Sequence, residues 1–161
     1  ARRFAGGVRG MTPRRAEPRD VPAMAGIVNA WIDATPWMER DLPPQEIEAL
    51  IGTGLPQREM WVIGDPAQAY ISIEAEIAHI WGFYCARPGQ GMGKRLLDRA
   101  KEDRDFLSLN THVPNVAAQR FYAREGFAPV GEVPPGPVSS VADTPQRVPT
   151  GIPELRMEWQ R

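Results

Sequence analysis

Gly89, Gly91 and Gly93 stand at alternate positions between an apolar run, Ile77 to Cys85, and a polar–apolar pattern that starts at Lys94. A strand, a glycine turn and a helix in that order form a cradle for an anion. Glycine lets the backbone approach a ligand closely, and a helix start presents N–H groups with no partner inside the helix. The helix dipole puts its positive end at the same point, so phosphate is the chemistry this spacing suits. A second set of residues follows downstream. Asn115, Ala118 and Tyr122 have the spacing that puts them on one face of a helix, which Gly126 closes as a left-handed stop. The groups near these elements that could move a proton are Glu74, Glu76, His79 and His112.

The elements that must hold these residues follow from the apolar spacing. Arg14-Arg15-Ala16 reads as a short first strand, and Asp20 as the N-cap of the helix after it. That helix carries Met24, Ile27, Val28, Trp31 and Ile32 as one stripe. A second helix begins near Pro43-Pro44 and stops at Gly52 and Gly54. Strands follow over Glu59 to Gly64, Gln68 to Ala75 and Glu76 to Cys85. The helix after the glycines buries Leu96, Leu97 and Ala100 and ends near Arg104. A fifth strand covers Asp105 to Thr111, a helix Asn115 to Glu125, a sixth strand Phe127 to Val133, and a last strand Glu154 to Trp159. The order β-α-α-β-β-β-α-β-α-β-β is α+β, with a mixed, mostly antiparallel sheet.

Bulk composition sets limits. The chain has 161 residues with 42% hydrophobic and 24% charged, enough for one domain with its own core over residues 1–161. The net charge of −1 offers no basic excess for nucleic acid. The single cysteine, Cys85, suits a reducing cytoplasm, and no apolar run is long enough to span a membrane. Met11 reads as a natural start, with residues 1–11 a disordered extension. Residues 134–153, rich in proline and without periodicity, read as a long loop.

Rival readings of the glycines are weaker. A Walker-type loop needs a glycine where Pro88 stands and a hydroxyl where Arg95 stands. A dinucleotide fingerprint needs a different last spacing and a βαβ frame. A plain corner does not need three glycines. Cys85 has no His paired with it in the sequence pattern and reads as a small core or loop residue rather than a nucleophile.

Together these motifs resemble the GNAT superfamily of acetyl-CoA-dependent N-acetyltransferases. Gly91 and Gly93 match the two small positions of the family's Arg/Gln-x-x-Gly-x-Gly/Ala motif. Asn115, Ala118, Tyr122, Gly126 and Phe127 match Asn-x-x-Ala-x-x-x-Tyr-x-x-x-Gly-Phe. Pro88 stands at the first motif position, where the family has Arg or Gln, and Arg87 and Gln90 flank it. The resemblance covers roughly Thr12 to Arg161. It implies a three-layer α/β/α arrangement, a central sheet of about seven strands, and helices on both faces.

The resemblance also implies chemistry. Acetyl-CoA would be the co-substrate, with no metal. Its contacts would come from Phe83, Tyr84 and Cys85, from Pro88 through Lys94 (Gly89, Gln90, Gly91, Met92 and Gly93 between them), and from Asn115, Ala118 and Tyr122. An amine would attack the thioester directly, with Tyr122 donating to the leaving sulfur and a backbone N–H near Phe83 to Cys85 meeting the oxyanion. A phenol is a weaker acid than a thiol, so Tyr122 acts chiefly as a hydrogen-bond donor. Glu76 is the preferred base among Glu74, Glu76, His79 and His112. Trp37, Glu39 and Trp81 are the expected acceptor contacts. The acceptor is a small-molecule or peptide amine, the location cytoplasmic, and an exposed final strand would allow a homodimer. The competing reading is a non-catalytic acyl-CoA-binding or sensing module, which would bind the same ligand without turnover.

Overall fold

The computed structural model describes residues 11–133 and 151–161. The expected extension, except Met11, and most of the expected proline-rich loop lie outside the described residues. Seven strands make one open sheet in the order β1-β2-β3-β4-β5-β7-β6. They are β1 (Arg14–Arg15), β2 (Glu59–Ile63), β3 (Ala69–Glu74), β4 (His79–Cys85), β5 (Phe106–His112), β6 (Ala128–Val133) and β7 (Glu154–Gln160). Among the described strands only β4 and β5 run parallel; every other neighbouring pair is antiparallel. The described residues also form four α-helices: α1 (Val21–Ala34), α2 (Pro44–Gly54), α3 (Met92–Lys101) and α4 (Val116–Arg124). The fold is α+β, and none of the described helices is long and apolar enough to cross a membrane.

β3 explains the layering. Residues Ala69 through Ile73 are all buried, on both faces of the strand, because helices cover both sides of the sheet there. On one face α3 sets Leu96, Leu97 and Ala100, each fully buried, against Ile71, Ile73, Leu107, Leu109 and Met157. Met11 packs at the border of this cluster. On the other face the α1 stripe of Met24, Val28 and Ile32 meets Ile47 of α2 and Met60, Val62 and Tyr70 of the sheet. The spacing of four along α1 keeps those side chains on one side of the helix.

Three expectations about the elements change. Asp20 does not cap α1 with its side chain. It ends a short 3-10 turn, Pro18–Asp20, where its carboxylate accepts from the Glu17 backbone N–H at 2.8 Å. The carboxylate also accepts from both terminal nitrogens of Arg14, at 2.7 and 2.8 Å. The Arg14 guanidinium holds the Asp20 carboxyl below the usual carboxylate range, and the pair ties β1 to the head of α1. Second, β3 ends at Glu74 and a four-residue turn, Ala75–Ala78, precedes β4. Ala78 takes a left-handed backbone there, with φ 51°. Glu76 is therefore an exposed turn residue and not part of β4. Third, the final strand is not an edge. β7 lies between β5 and β6, so the open edges are β1 and β6.

Candidate functional site

The site begins where β4 leaves β5. The two strands pair at only two positions, His79 with Ser108 and Ile80 with Leu109. Beyond them β4 continues to Cys85 bonded to β3 alone, while β5 continues to His112 bonded to β7. The paired end is closed: His79 and Ile80 are buried, and a 2.7 Å hydrogen bond joins His79 Nδ1 to Ser108 Oγ. Burial pushes the His79 imidazole down to about 4. The free end, Trp81 through Cys85, is half-buried throughout.

A β-bulge marks the change. Ser72 pairs with Gly82 and the next residue, Ile73, pairs with Ile80, so Trp81 is the extra residue. An inserted residue breaks the strict alternation of a strand. Ile80, Phe83 and Cys85 pack on the α3 side, whereas Trp81, Gly82 and Tyr84 line a cavity on the α1–α2 side. Strict alternation therefore does not describe which side of the sheet these residues face.

The glycine turn lies beyond the free end of β4. Gly89 and Gly91 have φ of +84° and +82°, a region L-residues with side chains rarely adopt. A Cβ at either would meet no atom within 4 Å, so the demand is conformational and the space above the turn is open. Gly91 is the N-cap of α3 and no side chain caps the helix. The first helical bond runs from the Arg95 N–H to the Gly91 carbonyl, which leaves Met92, Gly93 and Lys94 with unused N–H groups. Pro88, Gln90 and Lys94 are exposed around the turn. Lys94 Nζ also reaches Glu125 at 3.2 Å and Asp98 at 3.6 Å. Gly93 has a packing reason: a Cβ there would lie 3.2 Å from Phe121 and 3.4 Å from Phe83.

Tyr122 of α4 lies against the same end of β4. Its ring centroid is 6.0 Å from Phe83 and 5.7 Å from Phe127. Burial raises its pKa well above the ordinary phenol value, and the nearby Tyr84 and Cys85 raise it further. Cys85 is itself pushed up to about 11 by burial, so it is a neutral thiol and no nucleophile. Asn115 caps α4, its Oδ1 accepting from the Ala118 N–H at 3.2 Å. Among the described residues the amide nitrogen of that side chain has no hydrogen-bond partner.

On the opposite face the cavity holds about 150 Å³. Asp41, Arg58, Ser72, Trp81 and Tyr84 are among its walls. Trp81 Nε1 donates to Glu74 Oε2 at 2.7 Å, which fixes the indole. An aromatic cluster extends across the split. The Trp31 ring lies 5.6 Å from Tyr84 of β4 and 6.2 Å from His112 of β5, and Trp37 lies 5.4 Å from His112. Arg40 pins the loop carrying Trp37 by bonding Asn29, Asp33 and the Leu42 carbonyl.

The structure thus brings Phe83, Tyr84, Cys85 and Tyr122 together, with the glycine turn beyond them. It does not bring Glu76 there. That residue precedes β4, and the strand from His79 to Cys85 spans roughly 20 Å. Glu39 is exposed and absent from the cavity wall; the carboxylate its loop contributes is Asp41. Trp31, Asp41, Arg58, Tyr70 and Ser72 carry no motif: the sequence gives Trp31 only as a stripe residue and Tyr70 and Ser72 only as strand residues, and Asp41 and Arg58 fall between the expected elements.

Residues 27–127 match the acetyltransferase (GNAT) family. The chain belongs to that family. This makes it an acetyltransferase. Solved structures agree in fold. YjaB from Escherichia coli in its apo form is 22% identical with a TM-score of 0.67, over 92% of this chain and 96% of that one. The protein yncA from Salmonella typhimurium, with its cofactor acetyl-CoA, is 19% identical with a TM-score of 0.63, over 92% of both chains. A ribosomal-protein-alanine N-acetyltransferase from Brucella melitensis is 18% identical with a TM-score of 0.64, over 92% of this chain and 99% of that one. No curated protein matches the sequence significantly.

Proposed function

We propose that this GNAT protein transfers an acetyl group from acetyl-CoA to a primary amine of a small molecule or peptide, by direct attack in a ternary complex. The observation that carries the reading is the divergence of β4 from β5 between an uncapped helix start and a buried phenol. The orphan N–H groups of Met92, Gly93 and Lys94 fit a pyrophosphate, and open space above Gly89 and Gly91 admits it. The Asn115 amide nitrogen faces the role of donor along the pantetheine arm, and Ala118 leaves room for it. Acetyl-CoA supplies the activated acetyl group. One N–H of the free β4 edge, near Phe83 to Cys85, meets the charge that develops on the acetyl oxygen.

Balance of the reaction defines what the side chains must do. The amine nitrogen bonds to the acetyl carbon, the carbon–sulfur bond breaks, nitrogen gives up a proton and sulfur gains one. The raised pKa of Tyr122 makes it a weaker acid than the thiol it faces. Full transfer from the phenol is uphill, so Tyr122 stabilises the sulfur by donating a hydrogen bond. A substrate ammonium with an ordinary amine pKa is free base at only about 0.1% near neutral pH, and a base raises that fraction. Asp41, on the cavity wall with Gly82 and Tyr84, replaces Glu76 in that role. Trp37 and Trp81 remain acceptor contacts in this reading.

Thermal shift with acetyl-CoA, followed by thiol release against a panel of amines, tests the proposal. Acetyl-CoA at a hundred times its dissociation constant stabilises the fold by about 2.7 kcal/mol, and a Gly91→Trp variant loses that shift. Thiol release that needs an amine and falls in Tyr122→Phe supports direct transfer. Absence of any acetyl-CoA shift in the parent protein sinks it.

A further inference from the structure

The cavity between α1, α2 and the sheet contains a guanidinium with no hydrogen-bonded anion and a hydroxyl with no hydrogen-bond partner among the described residues. Arg58 sits directly before β2 and lines the cavity. Its guanidinium carbon lies 5.5 Å from the centre of the Trp81 ring. Its backbone N–H donates to the Gly54 carbonyl, but among the described residues its guanidinium has the Trp81 ring beside it and no ion pair or side-chain hydrogen bond. Burial strips water from this charge and lowers its pKa, against the fields of Glu74 and Tyr70; an arginine nevertheless stays charged. Ser72 is 4% exposed, lines the same cavity, and its Oγ has no hydrogen-bond partner. Buried donors of this kind are ordinarily satisfied, and a half-buried guanidinium ordinarily has an anion. Two unused donors on one wall describe the missing partner: a compact anion that only accepts.

The position of these donors says which kind. Ser72 is the cross-strand partner of Gly82, and Gly82 lies on the part of β4 that is free on its other side. Neighbouring strands are about 4.8 Å apart. An anion held at Ser72 and Arg58 is therefore a short linker away from a nitrogen facing the free edge. Asp41 contributes a carboxylate to the same cavity, complementary to an ammonium. A guanidinium fork matches a planar carboxylate with two parallel bonds.

We infer that the acceptor is a small amine carrying a carboxylate, an amino-acid-like molecule, held by Arg58 and Ser72 with its nitrogen directed at the free edge of β4. This rests on the acetyl-transfer reading above and narrows its acceptor class. Trp81, fixed by Glu74, is the platform that keeps the guanidinium in place.

The test compares free amino acids with their primary amides, in which the carboxylate charge is removed, using thiol release at saturating acetyl-CoA. Acids are expected to exceed their amides in kcat/KM by on the order of 100-fold. Arg58→Gln is expected to erase that preference by raising KM for the acids, while the acetyl-CoA thermal shift stays as in the parent. Arg58→Lys should restore part of it, since charge without the fork remains. A parent enzyme that acetylates amides as well as acids, or an Arg58→Gln variant that keeps the preference, overturns the inference. Calorimetric titration of the same acids and amides into CoA-saturated protein reads binding without turnover. Arg58-dependent binding of acids alone supports the inference even if no thiol is released, in which case only the transfer reading fails. Equal or absent binding of acids overturns the inference whatever the assay of turnover gives.

Discussion

The two ends of β4 differ in what holds them. At the first end, His79 and Ile80 are zipped to β5 and buried, and the polar atoms of His79 and Ser108 face each other. At the second, Gly82 through Cys85 are bonded on one side only and, with the bulged Trp81, stay half-buried. The separation occurs at a single inserted residue, Trp81. One strand is thus a clamp at one end and a free edge at the other, with the bulge between them. The lesson is that a free strand edge can be kept inside a protein if a short, dry, well-packed stretch next to it bears the load.

That contrast can be broken from either end. At the clamp, Leu109→Ala removes a fully enclosed side chain and is expected to lower stability by about 2–5 kcal/mol, read by chemical denaturation. The clamp is also sensitive to acid. In the folded protein His79 takes its proton only at about 4, against an ordinary 6.5. Between those values the unfolded chain binds more protons, so stability falls as pH drops from 6.5 towards 4. The loss is about 3 kcal/mol at most, and a His79→Gln variant should show a flatter melting temperature across that window. At the free end the signs reverse. Tyr122→Phe is expected to lower kcat about 100-fold while denaturation midpoints move little, because the hydroxyl bonds to no described residue. Smallest is Gly91→Ala. With φ at +82° it should cost about 1 kcal/mol, and weaken acetyl-CoA in a binding titration by disturbing the cradle. A Tyr122 variant that unfolds easily, or a Leu109 variant that does not, would dissolve the distinction between the ends.

Much of this was legible because it rests on local rules. Alternating apolar residues, Leu96-Leu97-Ala100 on one helix face, and glycine at the positive-φ positions 89, 91 and 126 are dictated within a few residues of themselves. The element order follows from them. The misses are all non-local. Asp20 looks like a helix cap until Arg14 arrives from β1 and takes both carboxylate oxygens. Glu76 looks like a strand residue because nothing in its neighbours reveals the turn at Ala78. The bulge at Trp81 needs the register of β3 to be seen at all. Arg58 comes from the bend before β2, Ser72 from β3 and Asp41 from a loop. They meet only because α1 and α2 roof the sheet, and no spacing along the chain encodes that meeting. The same holds for β7, whose place between β5 and β6 depends on pairing and not on order.

The interior position of β7 has a consequence for synthesis. β5 is one wall of the gap, and apart from two residue pairs with β4 its strand partner is β7. On a ribosome, β1 to β4 and three helices can emerge and assemble while β5 still waits for a neighbour that is made later. β6 must wait as well, since β7 is its partner in the sheet. A nascent chain stalled before Glu154 would therefore carry a finished glycine turn and helix start beside an unfinished wall. Acetyl transfer by such a chain should appear only when the β7 segment is added back as a peptide.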